Sequence, residues 1–289
     1  MNERPTWKLR DLRRRFDRAA ATFDEADFVH AVTREGLFAR LSPLIVDARR
    51  ILDLGAATGS ASPQLRKRYA GAQIVSLDIS RSMLLEAMRK RSRFSFARPL
   101  SVQANASNLP FHDDSMDLVF SNLMLPFADR LEDVFSEVAR VLREGGVFAF
   151  ATLGPDSLTE IGRAWNEVDD HAHVNRFLDM HDLGDALVRS RLRDPVLDVD
   201  RVSIQYDSPG KLFADLTNVG GRNALIQRNR SLTGKGRFEK MLDVLAGESG
   251  NKKLTLELEL VYGHCWGAGV RNEPGNITID ASSIARRRR

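Results

Sequence analysis

The chain has 289 residues and a mass of 32.4 kDa, and its 43% hydrophobic and 28% charged residues exclude a disordered or collagen-like chain. Its net charge of +4 does not indicate a nucleic-acid partner, because acidic residues are interspersed with basic ones along most of the sequence. The single cysteine, Cys265, excludes a disulfide within the chain, and no apolar run approaches the roughly 20 residues of a membrane span. We therefore expect a cytoplasmic protein that acts on neither nucleic acid nor a membrane.

Residues 1–45 are expected to form a helical segment. Within it, apolar side chains recur at helical spacing over residues 9–23, which predicts a helix whose apolar face carries Leu12, Phe16, Ala19 and Phe23. Because such a face is stable only when it leaves water, the helix is expected to pack against another part of the molecule.

Residues 46–155 are expected to form an α/β core. Short β-branched runs predict strands at residues 51–55, 73–79, 100–103, 117–120 and 147–151. Amphipathic helices are predicted at residues 82–91 and 131–143, the second of them ended by Gly145 and Gly146. Because parallel strands need long crossover connections, this alternation predicts a mostly parallel sheet with helices on both faces.

Residues 156–289 are expected to complete the sheet with a less regular pattern. The predicted elements are helices near residues 156–168 and 183–191 and strands at residues 196–206 and 254–262. An insertion with one helical stretch, residues 211–218, is predicted at residues 207–253, and the chain ends in a basic tail.

A nucleotide site is predicted where the first strand ends. The strand leads into Gly55, Ala57 and Gly59, whose small size lets the backbone approach a ligand, and a helical pattern follows. About twenty residues further on, Asp78 ends the second strand, where its carboxylate can accept hydrogen bonds from ribose hydroxyls. The two features together favour a cofactor site over an ordinary tight turn.

The same region resembles the class I methyltransferases that use S-adenosyl-L-methionine (SAM). The resemblance rests on short motifs at residues 53–55, 78, 105–106, 109–111, 117–119 and 142–146. It implies a Rossmann-like, seven-stranded fold, SAM as cofactor, and an N-terminal helix that covers the cofactor as a lid, although a purely structural helix stays an alternative. The cofactor-binding residues it implies are Phe23, Asp53, Gly55, Ala57, Gly59, Asp78, Ile79, Asn105, Ala106, Asn122 and Leu123.

The chain departs from that family at two of these positions. Ala57 stands where the family usually has glycine, and Asn105 stands where it usually has an aspartate that holds the adenine amino group. Alanine adds one methyl group to a tight turn, and asparagine still offers a carbonyl acceptor, so both residues remain in the predicted site.

Further segments resemble the malonyl-[acyl-carrier protein] O-methyltransferases of biotin synthesis. They lie at residues 16–24, 154–158, 179–185 and 262–264 and span nearly the whole chain. This resemblance implies methyl transfer from SAM to the free carboxylate of a malonyl thioester, carried by acyl-carrier protein or by coenzyme A. Departures from the family pattern are Phe23 in place of tyrosine and Pro126-Phe127 in place of a Gln-Trp pair, positions expected to lie near the cofactor.

Three residues are predicted to serve the substrate. Arg222 can present a planar two-donor fork to the malonyl carboxylate, and Asn223 can add a further donor, although an exposed loop arginine is an equal alternative. His181 is a third candidate, either beside the substrate or as a residue that steadies the following helix. Because carboxyl groups ionise near pH ~4, no general base is expected. No metal site is expected at His171, His173 and His181.

Other functions stay open at this point. Basic residues are predicted to steer an acidic carrier protein, or simply to form solvated surface: Arg13, Arg14, Arg15, Arg228, Arg230 and Lys235. The chain also resembles, more distantly, the complex I assembly factors that hydroxylate an arginine of a partner protein. A non-catalytic SAM-binding assembly protein is the other alternative.

Overall fold

The computed structural model describes residues 7–90, 100–228, 233–247 and 254–268. These residues contain strands β1 (Arg50–Leu54), β2 (Gln73–Asp78), β3 (Leu100–Gln103), β4 (Met116–Asn122), β5 (Leu142–Leu153), β6 (Leu192–Tyr206) and β7 (Leu254–Gly267). They form one seven-stranded sheet in the order β3-β2-β1-β4-β5-β7-β6. Strand β7 pairs antiparallel with β5 and β6, and the other pairs are parallel, so the predicted mostly parallel sheet is confirmed.

The helices of the described residues cover both faces of this sheet. They are α1 (Leu9–Ala19), α2 (Phe28–Leu41), α3 (Ser62–Arg68), α4 (Arg81–Arg89), α5 (Leu131–Val141), α6 (Thr159–Asn166), α7 (Met180–Arg189), α8 (Pro209–Asn218) and α9 (Lys235–Gly247). Helices α2 and α3 bury Leu37 and Leu65 in the cluster on one face, and α5 and α7 bury Val138 and Leu187 in the cluster on the other. None of the helices in the described ranges is long and apolar enough to cross a membrane.

The central and edge strands differ in burial as their positions require. Ile51, Leu52 and Leu54 of β1 have no exposed surface, because helices cover the central strands on both faces. Strand β6 lies at the edge of the sheet, and along much of its length the exposed residues alternate with partly buried ones. The continuous apolar runs seen in the sequence are therefore the central strands.

Two predicted helix ends were wrong. The N-terminal helix ends at Ala19 rather than at residue 23, and Phe23 begins a separate short 3₁₀ turn. Helix α5 ends at Val141, and Gly145 and Gly146 lie inside β5. The physical reason is tertiary: Leu142 already pairs with Met116 of β4.

The predicted insertion contains a second helix that the sequence pattern did not reveal. Helix α9 buries Met241 and Leu245 completely, and this packing stabilises a helix whose own amphipathic pattern is weak. The predicted basic tail and Arg230 lie outside the described residues. The cytoplasmic location stays a prediction.

The strand order places a crevice at one edge of the sheet. After β1 the chain adds β2 and β3 on one side, and β4 then starts the other side. In open parallel sheets, ligands bind at such a reversal, outside the carboxyl ends of the strands. The site is therefore expected beside the ends of β1 and β4.

Candidate active site

A cavity of about 310 Å³, the first cavity, lies at the carboxyl ends of β1, β2 and β4. Ten of the eleven predicted cofactor residues line it: Phe23, Asp53, Gly55, Ala57, Asp78, Ile79, Asn105, Ala106, Asn122 and Leu123. Gly59 is the exception. It has φ +77°, and an added Cβ would lie 2.9 Å from the Cβ of Ala87, so Gly59 packs the loop against α4 instead of facing the cavity.

The loop after β1 is held in a shape that favours glycine. Ala57 has φ +45°, in the left-handed region, where an L-residue costs about 1–2 kcal/mol. The Ala57 N–H donates to Asp78 Oδ2 at 2.9 Å, and the Ser80 N–H donates to Asp78 Oδ1 at 2.8 Å. Asp78 thus fixes the loop while its remaining lone pairs still face the cavity.

Two opposite charges lie in the first cavity with unused hydrogen-bonding atoms. Asp53 Oδ2 and Arg34 Nε are both buried and have no hydrogen-bond partner among the described residues, and Arg34 is 3.9 Å from Asp27. Burial, together with the negative charge of Asp78, raises the pKa of Asp53 to about 7, while Arg34 opposes the rise. A ligand with an ammonium and a carboxylate group fits this pair, and the methionine end of SAM carries both.

The rest of the first cavity suits a nucleoside. Burial raises the pKa of Asp78 to about 6, and the backbone hydrogen bonds that it accepts oppose the rise. Asn105 Oδ1 accepts the Ser107 N–H at 3.2 Å and keeps a second lone pair for an adenine amino group. The residues therefore fit SAM despite the asparagine.

The N-terminal segment covers one side of the first cavity. Leu9, Leu12 and Phe16 of α1 line it. Asp17 Oδ1 accepts Ser80 Oγ at 2.7 Å and the Ser82 N–H at 3.1 Å, so α1 is tied to the start of α4. This placement is what a lid requires, and its opening stays a prediction.

The same segment also contacts the loop after α8. Trp7 forms an antiparallel bridge with Leu225, and Arg15 Nη2 donates to the Asn223 carbonyl oxygen at 2.6 Å. An added Cβ on Gly220 would lie 2.9 Å from the Phe16 ring, so the loop packs closely on α1.

A second cavity of about 650 Å³ lies beside the first. Its walls are mainly apolar and come from α6, α8, α9, β6 and β7, including Trp165, Phe213, Phe238, Ile204 and Leu256. Four residues line both cavities: Trp7, His30, Leu123 and Phe127. Phe127, from the predicted Pro126-Phe127 departure, is thus part of the junction.

His30 is the junction residue with an unused polar atom. Its Nδ1 is buried and finds no hydrogen-bond partner in the part of the chain that the structure describes, and its ring lies 4.9 Å from that of Phe23. Burial, helped by the charge of Arg34, lowers the pKa of His30 to about 4, so the imidazole is neutral at physiological pH.

His30 and Arg34 were not predicted from the sequence. Both lie on α2, and their spacing of four residues puts them on one helix face. That spacing was the available signal, but α2 itself was not predicted.

Two of the three predicted substrate residues line the second cavity. Arg222 Nε donates to Thr217 Oγ1 at 2.7 Å, and its guanidinium lies 5.1 Å from the Phe213 ring centre. Asn223 donates from Nδ2 to the Ala172 carbonyl at 2.7 Å, and its Oδ1 accepts the Leu225 N–H at 3.0 Å. One Asn223 N–H therefore holds the loop, and the role of this residue as a substrate donor stays a prediction.

His181 lines neither of these two cavities, and the structure gives no support to its predicted role beside the substrate. Its side chain is 84% exposed on the first turn of α7. Asp179 caps this helix by accepting the N–H groups of His181 and Asp182. His173 lines the second cavity instead, where it bonds Asp169 at 2.8 Å. Within the described ranges, no group of three or more His, Cys, Asp or Glu side chains could hold a metal ion.

Comparisons with known proteins identify the family and the fold. A family model described as "Methyltransferase domain" matches residues 52–150. A protein of Methylovorus sp. named malonyl-[acyl-carrier protein] O-methyltransferase is 39% identical over 88% of each chain. A protein of the same name from Halorhodospira halophila is 38% identical over 97% of this chain and 96% of its own. The crystal structure of YcgJ from Bacillus subtilis superposes with a TM-score of 0.60 at 18% identity, over 82% of this chain and 99% of that one, which shows the shared fold.

Proposed function

The chain belongs to the malonyl-[acyl-carrier protein] O-methyltransferase family of SAM-dependent enzymes, and from this premise we propose its substrate and site. It converts the free carboxyl group of a malonyl thioester on acyl-carrier protein to the methyl ester, an early step of pimeloyl and biotin synthesis. The acyl-carrier protein is the partner expected in solution.

One observation carries this proposal: a cavity that buries Asp53 and Arg34 meets a larger, mainly apolar cavity at four shared residues. The first cavity offers Asp53 and Arg34 to the amino-acid end of SAM and Asp78 to its ribose. The second cavity has the volume and apolar walls to hold a thioester-bearing arm. A transfer between the two ligands therefore takes place at the junction.

The reaction requires the protein to orient the two reactants and does not require it to transfer a proton. SAM supplies an electrophilic methyl group; a carbon–oxygen bond forms to the carboxylate while the carbon–sulfur bond breaks, giving the methyl ester and S-adenosylhomocysteine. Because the malonyl carboxylate is already ionised at neutral pH, no base has to remove a proton. The walls of the junction have to hold the attacking oxygen at a near-attack distance of about 3–3.5 Å.

We assign the carboxylate contact at the junction to His30. Its buried Nδ1 has no partner within the described part of the chain, and a neutral imidazole can donate one hydrogen bond to a carboxylate oxygen. Arg222 lines the second cavity but is not among the four residues shared with the first. The arginine that the sequence pointed to therefore suits another part of the substrate.

The direct test is methyl transfer to the carrier. Purified protein is incubated with methyl-labelled SAM and malonyl-acyl-carrier protein, and the intact carrier is analysed by mass spectrometry. We expect a labelled methyl group that an esterase removes. Acetyl-acyl-carrier protein, which lacks the free carboxylate, is the matched control and should stay unlabelled. SAM binding without any labelled carrier would favour the assembly or hydroxylase alternative.

A further inference from the structure

We propose that Arg15, Arg222 and Arg228, the arginine cluster, form a phosphate site at the entrance of the second cavity, which takes the phosphodiester of a phosphopantetheine arm. The inference rests on the proposed function, because such an arm is what presents the malonyl group on a carrier protein. It adds a binding site that is separate from the methyl-transfer junction.

The three arginines come from two segments that meet beside the cavity. Arg15 extends from α1, and its Nη2 donates to the Asn223 carbonyl oxygen at 2.6 Å. Arg222 and Arg228 lie on the loop after α8 and line the second cavity. Arg222 is exposed and the Arg228 side chain is 28% exposed, so both mark the place where the cavity opens to solvent.

The positive charge of the cluster is poorly balanced. Burial, followed by the charges of Arg228, Arg222 and Arg18, lowers the pKa of Arg15 to about 10, and Asp11 opposes this change. Asp11 also lies 3.9 Å from Arg228. Arg15 and Arg228 thus share the Asp11 carboxylate, which also lies 3.9 Å from Arg10, and an anion placed among the guanidinium groups would relieve their repulsion.

An unused donor belongs to the same cluster. Arg15 Nη1 is buried and has no hydrogen-bond partner among the described residues. A buried donor without a partner is costly, and a ligand oxygen can satisfy it. Arginine is suited to this role because its planar donor fork matches the oxygens of a phosphate group.

The second cavity favours an arm over a small acid. A malonyl group has only a few atoms, and it would leave most of the roughly 650 Å³ empty. A pantetheine arm combines methylene and methyl groups, which suit walls such as Leu212 and Leu216, with two amide groups. Asn175 lines this cavity, and its buried Oδ1 has no partner within the described ranges, so it can accept an amide N–H of the arm.

The proposal is tested with two small substrates that differ by the phosphate alone, malonyl-pantetheine and malonyl-4′-phosphopantetheine. We expect the unmodified protein to prefer the phosphorylated substrate in kcat/KM by about tenfold to a hundredfold, typical of charge-assisted hydrogen bonds. In Arg222→Gln and Arg15→Gln proteins this preference should fall towards one. Arg14→Gln, on the same helix as Arg15 but exposed, is the matched control and should keep it.

The other outcomes separate this site from the proposed reaction. Methylation of both thioesters with no preference for the phosphate would overturn the phosphate site while the methyltransferase function stands. An equal loss on both substrates in the Arg222→Gln protein would show that this arginine serves the malonyl end instead. If no thioester is methylated, calorimetric titration with 4′-phosphopantetheine still decides: tighter binding than pantetheine, lost in Arg222→Gln, supports the site, and equal binding refutes it. Malonyl-coenzyme A and malonyl-acyl-carrier protein, assayed side by side, distinguish the two natural sources of the arm.

Discussion

The two cavities of this protein recognise ligands by different physical means. The first cavity buries Asp53 and Arg34 with unused hydrogen-bonding atoms, so it selects a ligand through opposite charges in a region with little water. The second has mainly apolar walls and carries its arginines near the entrance, so it selects by shape and burial, with charge acting at the surface. Changes in the first cavity should therefore have the larger effects on binding.

The largest expected effect comes from Asp53→Asn. Removing this carboxylate leaves Arg34 and the ligand ammonium without their buried partner, and SAM affinity should fall at least about a hundredfold. The dissociation constant is measured by calorimetry. Asp47→Asn, whose side chain is 77% exposed, is the control and should bind SAM normally. Normal SAM affinity in the Asp53→Asn protein would contradict the assignment.

The junction gives the next largest effect. His30→Ala should lower kcat/KM for malonyl-acyl-carrier protein by about tenfold to a hundredfold, because one hydrogen bond to the carboxylate is lost. His30→Gln keeps a side-chain N–H donor and should recover part of the activity. Steady-state kinetics together with SAM titration separate the roles. If His30→Ala weakens SAM binding as much as turnover, His30 belongs to the first cavity alone.

The pH dependence of SAM binding tests the first cavity, with a smaller expected effect than the substitutions above. In the ligand-free protein the pKa of Asp53 is raised to about 7, whereas the ligand ammonium would favour the ionised form. Binding at low pH must then release a proton, so SAM affinity should fall about tenfold from about pH 8 to about pH 6.

Folding stability should change in the opposite direction. The pKa of the Asp53 carboxyl group is 3.8 in the unfolded chain and about 7 in the folded protein. As the pH rises between these two values, the free energy of unfolding therefore falls. The ligand-free protein should thus be more stable near pH 6 than near pH 8 through this group. Thermal unfolding with and without SAM at both pH values measures the two trends, and parallel trends would refute the assignment.

The smallest expected effect is that of Ala57→Gly. Glycine removes the strain of φ +45°, about 1–2 kcal/mol, but loses about 0.5–1 kcal/mol through its more flexible unfolded chain. The net gain in the free energy of unfolding should be about 0.5–1 kcal/mol, measured by urea denaturation. Ala56→Gly, at a neighbouring residue that does not have positive φ, should lower the stability instead.

The strand-end residues of the first cavity were predictable because their chemistry is local in the sequence, whereas His30 and Arg34 of α2 were not. Asp53, Gly55 and Asp78 stand at the ends of buried strands, and parallel strand ends meet at one edge of the sheet. The same reasoning predicted that Gly59 faces the ligand, but Gly59 packs against α4, since a loop residue can face a helix as well as a ligand.

The second cavity was largely hidden, because its walls come from segments far apart in the chain. Trp7, Trp165 and Leu256 meet there only after the sheet and its covering helices have formed. His181 looked functional as a polar residue in a histidine-rich stretch, but its exposure depends on how α7 docks. Local patterns carry no information on such docking.

The bridge between Trp7 and Leu225 couples any movement of the N-terminal segment to movement of the loop after α8. The segment that covers the first cavity and the loop that borders the second are joined by this bridge and by the contact of Arg15 with Asn223. The N-terminal segment therefore cannot move away from the first cavity without disturbing the entrance of the second cavity. We expect an ordered cycle in which the methylated carrier departs before S-adenosylhomocysteine. SAM is then already bound when the next carrier arrives, and water is kept from its reactive methyl group.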